Sequence, residues 1–510
     1  MTSSRGSGTI GLTMIRRSLI VALLVGAFAS AGAAKDIYVA QAATGSGTGT
    51  DCANARPATF FNSSANWGPG ANQISPGDTV HLCGTFTSVL GVQGSGVSGS
   101  PTTILFEPNA KMSASFWPAT GALVVTNKRF VILDGGTNGI IEATNNGTAR
   151  VNQTHSVGIE ADGCDDCEIR NFSVLNMYVR TPGSSDSRDF GSGIVVQGGN
   201  RIKIHDNIVR HAKTGMAYSV PGGTSITNVR IFNNTISNIS TGIIVGSGNN
   251  NAVGDDVIVY SNDISDGVTW CGNWAPPPGD GHHHNDGIHV FAVHAGATFT
   301  NLAVHSNFIH GDWCTGNTTG WIFVEQLLSN YQVYNNLLTA TNSSAPTDGF
   351  IAIKGPGGNT KVYNNTIIGS NTRGIGLGFC CGTPNNDVKN NIVRSVGTGI
   401  FVDDSSSLTG SNFNAISQLN SSAEMFYQIG FFSFPGWQTR LGFDASSITL
   451  DPVLDLNGKP GTTSPIVDRG TNLSTFFTLD KVGRLRGEGN NLWDIGCFEF
   501  ARPAPPTNLR

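Results

Sequence analysis

The sequence predicts an all-β chain wound as a solenoid of stacked parallel coils, and three observations carry that expectation. Its 510 residues include 66 glycines and only 13% charged residues, a composition suited to many short strands joined by tight turns. The segments "IKIHDNIVRHAKTGMAYS", "VRIFNNTISNISTGIIVG", "VIVYSNDISDGVTW", "LAVHSNFIHGDW", "YQVYNNLLTATN", "TKVYNNTIIGSN" and "DVKNNIVRSVGTGIFV" share one template, and a period of this length marks a repeat architecture. No amphipathic helical stretch separates the strands, which excludes the usual α/β way of connecting parallel strands.

Each unit reads as an alternating apolar strand, an asparagine at a turn, a second short strand, and a glycine followed by an apolar residue that opens a third. The asparagines are Asn207, Asn234, Asn262, Asn307, Asn336, Asn365 and Asn391, at successive intervals of 27, 28, 45, 29, 29 and 26 residues. A unit this small cannot bury its own apolar face, whereas stacked units pair each strand with its equivalent one coil away. Asparagine tolerates left-handed backbone geometry and bonds to neighbouring backbone, so the recurring residue is expected to form a ladder along the axis. The 45-residue interval holds the insertion "DGVTWCGNWAPPPGDGHHH", expected as a loop over one face.

The repeats, the opening "DIYVAQAATGSGTG", "ISPGDTVHLCGTF" and "GSGVSGSPTTILFEPNAKM", and the closing "LDPVLDLNGKPGTTSPIVDRG" and "DIGCFEF" resemble the right-handed parallel β-helix of the pectate-lyase-like superfamily. The resemblance covers nearly the whole mature chain, and what it implies specifically is the fold. The superfamily includes polysaccharide lyases, glycoside hydrolases, epimerases, phage tailspikes and proteins with no known activity, so the chemistry has to be argued from the site.

The N-terminus reads as a secretory signal: "MIRRS", the apolar run "LIVALLVGAFA" and the small-residue stretch "SAGAAKD" supply the basic, apolar and cleavage regions in order. Met14 offers an alternative start. The expected organisation is a signal peptide over 1–34, a β-helix over 35–500 and a Pro-rich tail over 501–510. The apolar run is too short for a stable anchor, so an exported monomer without a membrane anchor is expected. A net charge of −5 argues against a general nucleic-acid or polyanion surface, although a local basic patch in one groove would not register in that sum. Export admits disulfides: Cys52 with Cys83 and Cys164 with Cys167 are local pairs, and Cys271 with Cys314 would tie the insertion to the following coil. Cys380, Cys381 and Cys497 stay unassigned, and the odd total leaves one cysteine over.

Aligning units on the glycine step sets Gly193, Gly215, Gly242, Gly287, Gly320, Gly349, Gly374 and Gly399 in one column. Ile288 and Val290 then point inward and His289 and Phe291 outward, with Ile244 and Ile322 on either side of His289. The preceding position forms a polar row of Thr214, Thr241, Asp286, Thr319, Asp348, Arg373 and Thr398, and Glu325 and Lys354 lie on adjacent coils at ion-pair range. Asp286 and Asp348 would be roughly 9.6 Å apart, two strand spacings.

The stretch "GDGHHHNDGIHVFAVH" is therefore the candidate site. Histidines beside carboxylates in a groove suit general acid and base work. Consecutive histidines point in different directions and lack helical H-x-x-x-H spacing, which disfavours a metal site. The favoured chemistry is lyase action on an acidic, uronate-containing polysaccharide, with His284 or His289 as base, Asp286 orienting a histidine, and Asn285 and Lys354 holding the substrate carboxylate. Trp270, Trp274, His283, Trp313, Glu325, Asp348 and Arg373 would line the groove. Calcium is the one cofactor considered, with Asp280 and Asp312 as candidate ligands beside Asp286 and Asp348. "HNDGIHV" is similar to the "NTDG" segment of polygalacturonase-like hydrolases, where the aspartate before the glycine is catalytic, so the alternative is an inverting hydrolase using Asp286 and Asp348. A non-catalytic glycan-binding β-helix is the third reading.

Overall fold

The computed structural model describes residues 34–181, 191–247, 249–271, 285–314, 318–326, 330–341, 346–355, 358–369, 372–378, 382–417, 425–428 and 430–501. The signal sequence and the last nine residues lie outside them, as do Cys380 and Cys381. No helix among the described residues is long and apolar enough to cross a membrane.

The repeats wind into a right-handed parallel β-helix. A 15-stranded sheet carries the first strand of every coil, and a 23-stranded sheet wraps the other two faces. Pairing is parallel throughout the repeats, strand to equivalent strand one coil on: Val229–Phe232 pairs with Val257–Tyr260, and Ile258–Tyr260 with Ala303–His305. Inward residues such as Ile243, Val245, Ile288 and Val290 are fully buried in one continuous apolar core. This interior is what a single coil lacks and a stack supplies.

The asparagine ladder forms as expected. The Asn234 side-chain amide donates to Oδ1 of Asn262 at 2.9 Å, and Asn262, Asn307, Asn336 and Asn365 each donate to the next rung at 3.0 Å. Each rung also donates to a carbonyl of the preceding coil, as Asn307 does to Val259 at 3.0 Å. Asn391 passes the ladder on to Asn414, and buried Asp444 ends it by accepting from the Asn414 amide at 2.8 Å. The left-handed geometry falls not on the rungs but on the residue before each: Asp206, Asn233, Ser261, Ser306, Asn335, Asn364 and Asn390 have φ between 47° and 58°. The corner thus divides its two demands, a tight turn and a buried amide, between neighbouring residues.

A second stack runs along the outside of the first face. His205, Phe232, Tyr260, His305 and Tyr334 lie ring on ring at 4.5–5.1 Å. Burial, helped by the charge of Lys481, pushes the His305 imidazole down to about 4. The unfolded chain therefore binds this proton at higher pH than the fold does. The contribution of His305 is complete above pH 6.5 and is lost as pH falls towards 4, by about 2–3 kcal/mol. His305→Phe keeps the stack and removes the titration, so urea midpoints of wild type and variant should converge at pH 7 relative to their spread at pH 4.5, with the variant the more acid-stable.

Coil strands end at Met425–Tyr427, which turns back antiparallel onto Gly430–Phe432. A helix over Phe434–Leu441 follows, capped by Ser433 and by Gly442 at φ 73°. The described residues that follow, to Ala501, form an irregular strap that runs back along the coil corners. Asn335 donates to Leu479, Asn364 to Asp494 and Gly496, Asn390 to Thr471, and Lys481 to Ser306.

Candidate active site

The site is built on three successive strands, Ile288–Ala292, Gly320–Gln326 and Gly349–Lys354. Their register sets Ile244, His289, Phe323 and Ala352 in one outer column and Gly246, Phe291, Glu325 and Lys354 in the next. Gly246 is required to lack a side chain, since a Cβ there would come within 2.2 Å of the Phe291 ring.

The His289 ring stacks on Phe323 at 4.6 Å and leans on Phe291 at 5.0 Å. Its Nδ1 lies 3.8 Å from Oδ2 of Asp286 and its Nε2 lies 3.8 Å from Oε1 of Glu325. An imidazolium formed here would have a carboxylate on each side. On the far side of Phe323, the Lys354 ammonium sits 5.1 Å from the ring centroid and 2.5 Å from Oδ2 of Asp348. Arg373, on the following coil, lies over Phe401 at 4.3 Å and donates to the Thr347 carbonyl at 2.7 Å, and burial lowers its affinity for its proton.

Several sequence expectations are corrected. The glycine column holds from Gly193 to Gly287, because a Cβ at Gly193, Gly215 or Gly242 would meet the carbonyl of the next glycine in line within 2.5 Å. It then slips by one residue: Ile288 pairs with Ile322, so Trp321 follows Gly287, and Phe350 follows Trp321. His289 is accordingly flanked by Phe323 rather than Ile322. Thr319 and Asp348 fall in the column of Asn285, one position off the row of Asp286. Nor does the His289 side chain face open solvent, since it is only 11% exposed.

Asp286 is fully buried, and its Oδ1 accepts from the Thr319 and Gly320 amides at 3.1 Å each. It holds the next coil and stands beside the imidazole, which does not suit it to one half of an inverting pair. Asn285 is also buried, between the Ser240 hydroxyl and the Cys314 sulfur. Trp270 and Trp313 are not sugar platforms. Both are buried, their indoles donating to the Asn238 and His310 carbonyls. Lys354 pairs with Asp348 and stands next to Glu325 in register. Trp274, Asp280, His283 and His284 lie outside the described residues. Asp312 packs its amide on Asp266, and no three His, Cys, Asp or Glu side chains among the described residues are grouped to hold a metal ion.

All three expected disulfides are present, with Cα separations of 5.7 Å for Cys52–Cys83, 5.9 Å for Cys164–Cys167 and 5.2 Å for Cys271–Cys314. Buried Cys497 is a free thiol. Cys271–Cys314 fastens the start of the insertion to the next coil, so Cys271→Ser is expected to lower stability by about 2–4 kcal/mol, read as the shift in thermal midpoint. Phe323, which with the outward Phe291 frames the imidazole, was missed in the sequence. Counting the strand from Ile322 rather than from Gly320 would have found Phe323.

No known family signature and no curated protein matches the chain. Similar solved structures include a lacto-N-biosidase from Eubacterium ramulus, at 11% identity over 78% of this chain and 68% of that one, TM-score 0.48. A pectate lyase is 13% identical over 91% of this chain and 96% of that one, TM-score 0.42. A polygalacturonase from Erwinia carotovora ssp. carotovora is 11% identical over 78% and 96%, TM-score 0.36. At these values the chemistry of the site rests on its own residues.

Proposed function

We propose that the protein is an exported polysaccharide lyase that cleaves an acidic, uronate-containing glycan by β-elimination at His289. The observation that supports this reading is the grouping of one imidazole, two flanking carboxylates and a lysine on the outer strands of consecutive coils. Elimination needs a base for the proton α to the substrate carboxylate, a cation for the developing charge, and a proton for the leaving oxygen.

In this reading His289 takes the α proton. The released electron pair forms the double bond between the α and β carbons, the β carbon's bond to the glycosidic oxygen breaks, and the imidazolium returns the proton to that oxygen. Asp286 and Glu325 hold and stabilise the imidazolium. Lys354 meets the substrate carboxylate, exchanging part of its pairing with Asp348, and Arg373 lies one coil along for the neighbouring uronate.

Polygalacturonate, alginate and a neutral glucan, each incubated with the purified protein, test the proposal when ultraviolet absorbance of unsaturated ends and new reducing ends are followed together. Both signals on a uronate polymer support a lyase. Reducing ends alone replace it with hydrolysis, and neither signal leaves a glycan-binding wall.

A further inference from the structure

Away from that site, a cleft of about 390 Å³ opens where the strap crosses the coil corners. Its floor is Leu337 and Phe498, both buried, with Phe308 beside them. Its charged groups are Lys459 and Lys481 from the strap and Asp263 from the second face, with Asn457 beside Lys459.

The cleft is held in shape from both sides. Asp455 accepts from the amides of Asn457 and Lys459 at 2.8 Å each, fixing the turn that carries Lys459. Gly458 within that turn has φ 74°, and a Cβ there would press on Leu337 at 2.8 Å. The Lys481 ammonium gives one of its three protons to the Ser306 carbonyl at 2.6 Å and stands 5.9 Å over the Phe308 ring. Lys459 stands 5.5 Å over Phe498. Neither lysine has an ion-pair partner within bonding distance among the described residues. One Asp263 oxygen bonds to the His310 ring at 2.8 Å, and its second oxygen can accept hydroxyl protons.

We infer that this cleft is a second ligand site, for the carboxylate-bearing unit of a sugar acid. Two ammonium groups with donors to spare match one carboxylate, Asp263 and Asn457 match the ring hydroxyls, and the apolar floor matches the C–H face of the ring. The volume falls within the range of small-molecule sites. The site shares no residue with the His289 cluster and stands whether or not that cluster is catalytic.

Calorimetric titration of the full-length protein with sodium D-glucuronate and with D-glucose tests it. Glucuronate should bind at least about ten-fold more tightly than glucose, an electrostatic preference for the anion. Lys459→Ala, at an exposed turn, should weaken glucuronate binding about five-fold or more without shifting the thermal midpoint or any glycan cleavage, and Lys481→Met should remove it. Should Lys481→Met fail to fold, Lys459→Ala still decides. Trigalacturonate binding more tightly than glucuronate marks the end of a uronate chain as the occupant, whereas equal binding marks a free sugar acid. Equal binding of glucuronate and glucose, or an unchanged constant in Lys459→Ala, overturns the site.

Discussion

His289→Ala is expected to lower kcat on a cleaved uronate polymer by at least about 100-fold, with the fold intact, since general-base removal costs 10²–10⁴ in rate. The side chain lies on the outer face, stacked on Phe323 rather than in the apolar interior, so its loss leaves the coil core untouched. Asp286→Asn separates orientation from scaffolding. The amide keeps an oxygen for the Thr319 and Gly320 N–H groups but lacks the charge beside Nδ1. A fall in kcat with KM and thermal midpoint near wild type identifies Asp286 as a positioning residue. Wild-type rates in both variants would remove His289 from the chemistry. Steady-state kinetics with matched circular dichroism supplies both readings.

Asn307→Ala should destabilise the chain by about 3 kcal/mol or more, since removing one partner leaves buried polar groups on two coils unsatisfied. Oδ1 of Asn307 accepts from both the backbone and the side chain of Asn262, and its amide serves Val259 and Asn336. None of these groups reaches water. Equilibrium urea unfolding checks the value, and Asn72→Ala, at an exposed position outside the ladder, serves as the neutral comparison.

The repeat was legible because it is enforced once per coil by the same physical need, a buried amide for the corner carbonyls. That need appears as asparagine at near-constant spacing whatever the flanking residues. The Cys271–Cys314 disulfide was legible for a related reason, since stacking brings equivalent connections of adjacent coils into range, whereas Cys164–Cys167 was legible as a local pair three residues apart. The register at the site was not. Gly320 and Gly349 look like members of the glycine column, yet Trp321 and Phe350 occupy those steps, and a one-residue slip exchanges neighbours without altering the alternating pattern. The burial of Asp286, Asn285, Trp270 and Trp313 was hidden too. Whether a polar or indole group lines a groove or braces a connection depends on contacts between coils, as when Asn285 meets Ser240 from 45 residues earlier.

The strap changes how such a stack can come apart. A solenoid held only by neighbour-to-neighbour contacts can lose coils one at a time from an end. Here the bonds from Leu479 to Asn335, Thr471 to Asn390 and Lys481 to Ser306 join residues 144, 81 and 175 positions apart. Peeling the last coil therefore means first lifting a segment that also grips coils well inside the array. The strap follows in the chain the coils whose corners it fastens, so it can close only on corners already laid down and acts as a clasp rather than as one more turn. Fraying of these coils becomes a shared event of several of them rather than the loss of one at a time.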